Sequence, residues 1–109
     1  MHQFKNLEIW KRSRLFCSKI YGVTSNFPDN EKFGITNQLR RASVSIPSNI
    51  AEGSSRASNK DFSRFLEIET QLLISNDLKF LESETVETLL NELEEIVKMI
   101  SKFRSTLKI

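Results

Sequence analysis

The chain predicts an all-α fold, an up-down-up-down four-helix bundle occupying residues 1–109 as one domain, and three observations carry that expectation. Gly 3 and Pro 2 in 109 residues leave few places to turn, so the chain reads as a small number of long helices. Four segments repeat apolar residues at 3- and 4-residue spacing. Between them lie short polar stretches carrying helix stop and start signals. At ~1.5 Å per residue such helices are each roughly 30 to 40 Å long, and short connections make consecutive ones antiparallel neighbours.

Helix one is expected from about Phe4 to Phe27. Leu7, Trp10, Arg14, Cys17 and Tyr21 fall on one side of it, and Ile9, Ser13, Phe16, Ile20, Val23 and Phe27 fall roughly 120° round. A surface helix has one apolar stripe. Two stripes imply a helix central to its own bundle or covered a second time by another subunit; alternatively Phe16 and Val23 widen a single buried face. Pro28 forbids continuation. Asp29 or Asn30 then has the side chain to cap the next helix, with Glu31 in its first turn.

Helix two is expected from about Glu31 to Glu52. Ile35, Leu39, Ala42, Ile46 and Ile50 form its core stripe. About 130° round lie Arg40, Val44, Pro47 and Ala51, where small residues permit close approach of another backbone; Arg41, Ser45, Ser48 and Glu52 form a polar face. Pro47 lacks an N–H and crowds the carbonyl of Ser43, at a cost of ~3 kcal/mol inside a helix. A break at Ile46 with a restart at Pro47 is one solution. A kinked continuous helix is favoured because the stripes keep phase through the proline. Gly53-Ser54-Ser55 is the stop.

Helix three opens at Ser58 or Asn59, where Ser58-x-x-Asp61 resembles a capping box. Its periodicity is read on Phe62, Phe65, Leu66, Glu69, Leu72, Leu73, Asn76 and Phe80, with Glu69 and Asn76 interrupting it, and it ends near Phe80 to Glu82. Helix four opens at Ser83 with Glu84 and Glu87 in its first turn. Val86, Leu89, Leu90, Leu93, Ile96, Val97, Ile100, Phe103 and Leu107 continue the pattern unbroken, and Glu94 and Lys98 pair on the outside.

Composition excludes several function classes. The single Cys17 rules out an internal disulfide and an all-cysteine metal site, and among apolar neighbours it reads as a small buried hydrophobe. The single His2 has no partner for a metal pair. Glu67, Glu69 and Asp77 do not make the inward Glu-x-x-His set of a di-iron bundle. There is no phosphate-cradling glycine loop and no nucleophile with a patterned base. No cofactor, no metal and no catalytic residue is expected. No apolar run approaches the ~18 residues that span a bilayer, and charges fall where a signal peptide's apolar core belongs. A soluble, cytoplasmic protein follows.

The net charge is +2, unevenly placed. Residues 1 to 64 hold 11 Lys and Arg against 5 Asp and Glu, giving +6; residues 65 to 109 hold 5 against 9, giving −4. The basic half offers a surface for an anionic partner or a self-contact with the acidic half. Candidate contacts are Lys5, Arg12 and Lys19 on helix one, Arg40 and Arg41 on helix two, and Arg56, Lys60 and Arg64 beyond. Phosphate contacts by such residues are sequence-tolerant and salt-sensitive. No aromatic interleaving or helix-turn-helix spacing supports base reading. The alternative use of these charges is structural.

The stretch QLRRASVSIPSNIAEGSSR, Gln38 to Arg56, resembles the signature of the four-helix bundle family named after intervening sequences of 23S ribosomal RNA. LEIWKRSRLFCSKIYGVTSNFP looks like that family's first helix, and FLEI followed by ETQLL like its third. The matching motif positions are Arg40, Arg41, Ser45, Pro47, Asn49, Ala51, Glu52, Gly53 and Arg56. The resemblance implies a ring-like homopentamer, related to the accessory protein of diversity-generating retroelements, a basic pentamer that binds nucleic acid and a reverse transcriptase. Family members carry a segment like A-x-G-S-x-x-E-L after the FLEI-like part. Here Ile68 is followed at once by Glu69, so about eight residues, roughly two turns, are missing, and the residues beyond are rotated by about 80°.

The expected role is a non-enzymatic oligomer that binds RNA or DNA through Arg12, Lys19, Arg40, Arg41, Arg56, Lys60 and Arg64, assembled through Val44, Ser45, Pro47, Asn49, Ala51, Glu52 and Gly53. The alternative is a structural or protein-interaction module with no nucleic-acid partner.

Overall fold

A computed structural model describes residues 3–52 and 58–107. Four α-helices run in order: α1 Glu8–Thr24, α2 Ile35–Ala51, α3 Ser58–Asp77 and α4 Ser83–Leu107. Short 3-10 helices at Gln3–Asn6 and Asp29–Glu31 precede α1 and α2. No strand occurs among the described residues, so the fold is all-α as expected. Each helix packs on the next, and α4 also packs on α1, which closes one core inside an elongated body of 46 × 23 × 21 Å.

α1 is shorter than its periodicity at both ends. Leu7 is extended (φ −75, ψ 129) and its carbonyl accepts from both Trp10 and Lys11, so the helix begins only at Glu8. The preceding turn is held by Phe4, whose ring meets Trp10 edge-on at 5.3 Å. At the other end Thr24 and Ser25 hydroxyls donate to the carbonyls of Ile20, Tyr21 and Gly22, and Phe27 turns inward against Phe80. The face that is buried is Ile9, Ser13, Phe16, Ile20 and Thr24. The other stripe is half-buried at Trp10 and Cys17 and exposed at Arg14 and Tyr21.

α2 begins four residues later than expected. Asp29 and Asn30 do not cap it; they belong to the 3-10 turn, and Gly34 stands at the N-cap without a side-chain bond. Glu31 serves instead, with its carboxylate accepting from the Ile35 N–H at 3.5 Å. A Cβ on Gly34 would lie 2.7 Å from that carboxylate, so glycine here lets the acid reach the helix end, where negative charge is favoured. The helix runs unbroken through Pro47. Its core stripe is as read: Leu39, Ala42 and Ile46 are buried, with Ile35 and Ile50 packed against the cluster.

α3 starts at Ser58 as expected; the Ser58 and Asp61 side chains and Gly53 lie outside the described residues. Its phase differs from the reading above. Phe65, Ile68 and Leu72 are buried together with the polar Gln71 and Ser75. Phe62, Leu66 and Leu73 are exposed instead, by 57%, 49% and 46%. Two buried polar residues disguised the true stripe, and three exposed apolar ones supplied a false one. Ser75 satisfies its hydroxyl on the Gln71 carbonyl at 2.7 Å. Asn76, which had looked like an interruption, donates its amide to the Leu81 carbonyl at 3.0 Å and the Ser83 hydroxyl at 3.1 Å, tying the end of α3 to the start of α4.

α3 ends at Asp77, earlier than the apolar spacing suggested, because Lys79 adopts φ 64. Phe80 N–H bonds the Ser75 carbonyl at 2.8 Å and Lys79 N–H bonds the Asn76 carbonyl at 2.9 Å, the pair of bonds that defines a Schellman cap. Glycine is the usual occupant of that position. Lys79→Gly is expected to stabilise the fold by about 0.5–1 kcal/mol, the left-handed strain relieved exceeding the entropy glycine adds to the unfolded chain; a lower urea midpoint in the variant would count against it.

α4 matches its pattern at the described side chains; that of Leu107 lies outside them. Val86, Leu89, Leu93, Ile96 and Ile100 are buried, and Glu94 and Lys98 pair at 3.3 Å.

Candidate nucleic-acid interface

The helices distribute the basic residues over different seams rather than one face. Arg12 and Lys19 point from α1 toward α4. Arg12 Nη2 lies 2.6 Å from Glu95 Oε1, with Nη1 3.8 Å from Met99 Sδ, and Lys19 Nζ lies 2.7 Å from Glu92 Oε1. These pairs set the basic half of the chain against its acidic half within one subunit. Partly exposed pairs of this kind contribute about 0–1 kcal/mol each, and their charge is already answered.

Arg40 is also committed. Its Nε donates to Thr24 Oγ1 at 2.9 Å, its Nη2 to the Tyr21 carbonyl at 3.4 Å, and its guanidinium stands 4.6 Å from the Tyr21 ring centroid. A cation placed on the last carbonyls of α1 opposes the negative end of that helix and supplies donors its terminus lacks.

Arg41, one position on, points about 100° away. It is exposed and, among the described residues, has no ion-pair partner. It lines a groove of about 710 Å³ between α2 and α3, with Asn37, Gln38 and Ser45 from α2 and Arg64 and Glu67 from α3. Arg64 pairs with Glu67 at 3.2 Å. Behind the lining, Gln71 donates through Nε2 to Gln38 Oε1 at 3.1 Å and Glu67 Oε2 at 3.3 Å, while its own buried Oε1 has no partner. Phe33 closes the groove at the start of α2 and is 86% exposed.

So Arg41 and Arg64 come together, and Arg12, Lys19 and Arg40 stand elsewhere. Arg56 and the side chain of Lys60 lie outside the described residues. Phe33 and Asn37, which also line the groove, are not among the residues that the sequence singles out. Phe33 carried a weak signal: an aromatic outside both stripes, flanked by Lys32 and Gly34.

The residues read as an assembly surface divide as well. Val44, Pro47 and Ala51 follow Arg40 along the flank of α2 that meets α1, where Ser43 Oγ lies 3.6 Å from Cys17 Sγ. Val44 is exposed by 38%, and Pro47, Asn49 and Ala51 are half-buried. The second stripe of α1 borders the same edge, with Arg14 5.3 Å from the Trp10 ring centroid. Ser45 is on the opposite flank, its hydroxyl on the Ala42 carbonyl. Glu52 is exposed, and Gly53 lies outside the described residues.

Among the described residues no group of His, Cys, Asp and Glu is placed to hold a metal ion, and no helix is long and apolar enough to cross a membrane. The architecture is that of an all-helical bundle protein with charged seams and a polar groove between α2 and α3. Residues 5–102 match the family described as 23S rRNA-intervening sequence protein, and the chain belongs to that family. No curated protein matches it.

Proposed function

We propose that this chain is a non-catalytic, cytoplasmic up-down-up-down bundle that self-associates along the α1–α2 edge and binds RNA or DNA through the α2–α3 groove. The observation that carries this reading is Arg41: a guanidinium exposed beside Arg64, among amide and hydroxyl side chains, with no acid paired to it among the described residues. Phosphate is the anion that such a cluster of fork-shaped and neutral donors suits. The family's description names 23S rRNA, which is consistent with a nucleic-acid partner. The coincidence of the second stripes of α1 and α2 along one edge supports self-association, and the proposed subunit number of five rests on the family resemblance alone.

A second reading, a protein-interaction module without nucleic acid, draws on the ion-paired state of Arg12 and Lys19 and the capping role of Arg40.

A gel-shift titration with ribosomal RNA fragments at several salt concentrations separates the two. Binding is expected at low salt and to weaken steeply as salt rises. Arg41→Ala should lower the salt slope by about 1. Absent or salt-insensitive binding favours the second reading. Light scattering on the same sample should give about 63 kDa for five copies of 12.6 kDa; a monomer overturns the assembly.

A further inference from the structure

We infer that the α2–α3 groove takes single-stranded nucleic acid, with an unpaired base stacked on Phe33 and a neighbouring phosphate held by Arg41. The inference rests on the nucleic-acid reading above and names the strand class.

Exposure of one aromatic is ordinary in itself; what points to a ligand is where Phe33 stands. Its ring ends a groove of about 710 Å³ that holds two arginines, and Lys32 Nζ lies 5.7 Å from its centroid. A ring bordered by cations presents a stacking surface with the charge that a nucleic-acid backbone needs close by. The groove lies within the range of about 300–1,000 Å³ typical of small-ligand sites. Its polar lining suits a base edge. Gln38 Oε1 is engaged by Gln71, which leaves the Gln38 amide nitrogen to donate, and Asn37 adds a second amide. Among the described residues Glu67 is the one acid in the lining. It repels a phosphate set over it and accepts from a base amino group, so it favours a base there over a second phosphate. A duplex keeps its bases stacked inside and cannot offer one to Phe33.

The test compares the full chain with Phe33→Ala, Phe33→Tyr and Arg41→Ala. Fluorescence anisotropy is read with a labelled single strand and a blunt-ended duplex of equal length that has no loop, at fixed and then varied salt. The native chain is expected to bind the single strand more tightly. Phe33→Ala should lose roughly 5- to 150-fold on the single strand with little change on the duplex and an unchanged salt slope. Phe33→Tyr should retain binding, and Arg41→Ala should reduce the slope on both. Equal losses on both ligands, or no loss on either, overturn the inference while leaving nucleic-acid binding in place. No binding to either ligand overturns both. A fall in molecular mass for Phe33→Ala assigns the ring to a contact between copies and likewise overturns it.

Discussion

Phe16→Ala is expected to lower the free energy of unfolding by about 3–5 kcal/mol. Phe16 is fully buried in the middle of α1, the helix that packs on both α2 and α4. Truncation removes the ring's own burial and leaves a cavity between three helices, none of which can move in without disturbing the other two. A domain of this size is stable by about 5–15 kcal/mol, so the variant should lose a large fraction of its margin. Urea denaturation followed by helix content measures it. A loss below about 1 kcal/mol would mean that the Ile9–Phe16–Ile20 face is not the one buried, and that the Trp10–Tyr21 stripe faces the core instead.

The second large effect separates two positions on α3 that lie two residues apart. Ile68→Ala is expected to cost about 2–5 kcal/mol, because Ile68 is fully buried among Phe65, Leu72 and the facing helices. Leu66→Ala is expected to cost less than about 1 kcal/mol, because Leu66 is 49% exposed beside Leu90 and Val97 in the open seam between α3 and α4. The reverse order would restore the phase that the apolar spacing suggested. The comparison also tests the apparent shortening after Ile68. The buried positions Phe65, Ile68, Leu72 and Ser75 keep 3- and 4-residue spacing across that point, so the residues following it remain in register with those before.

Helix α3 shows why spacing alone misleads. Ser75 and Gln71 are polar and buried, their side chains largely satisfied by the Gln71 carbonyl, Gln38 and Glu67. Burial of a bonded polar group costs little, so nothing in the residue types marks these as core positions. Phe62, Leu66 and Leu73 are apolar and exposed, and an incompletely covered seam tolerates them. α4 has neither complication, and its buried residues from Val86 to Ile100 follow the apolar spacing. The candidate interface was legible to a similar degree. The tandem arginines at 40 and 41 share one turn of α2, yet one caps α1 and the other faces the groove, a difference that follows from about 100° of helical rotation. Arg12 and Lys19 looked like available cations because the acids that answer them, Glu95 and Glu92, lie 83 and 73 residues away.

The sequence by itself determined four helices, the chain breaks at Pro28 and near residue 80, the core stripes of α2 and α4, and a family signature at Gln38 to Arg56. These are local matters: propensity, capping chemistry and 3.6-residue periodicity act within a few turns. Only the tertiary structure decided which stripe of α1 is covered, which phase of α3 is inward, and which of the two tandem arginines caps α1. Periodicity says which residues share a face, but the burial of a face and the neutralisation of a charge depend on what a distant part of the chain brings against it.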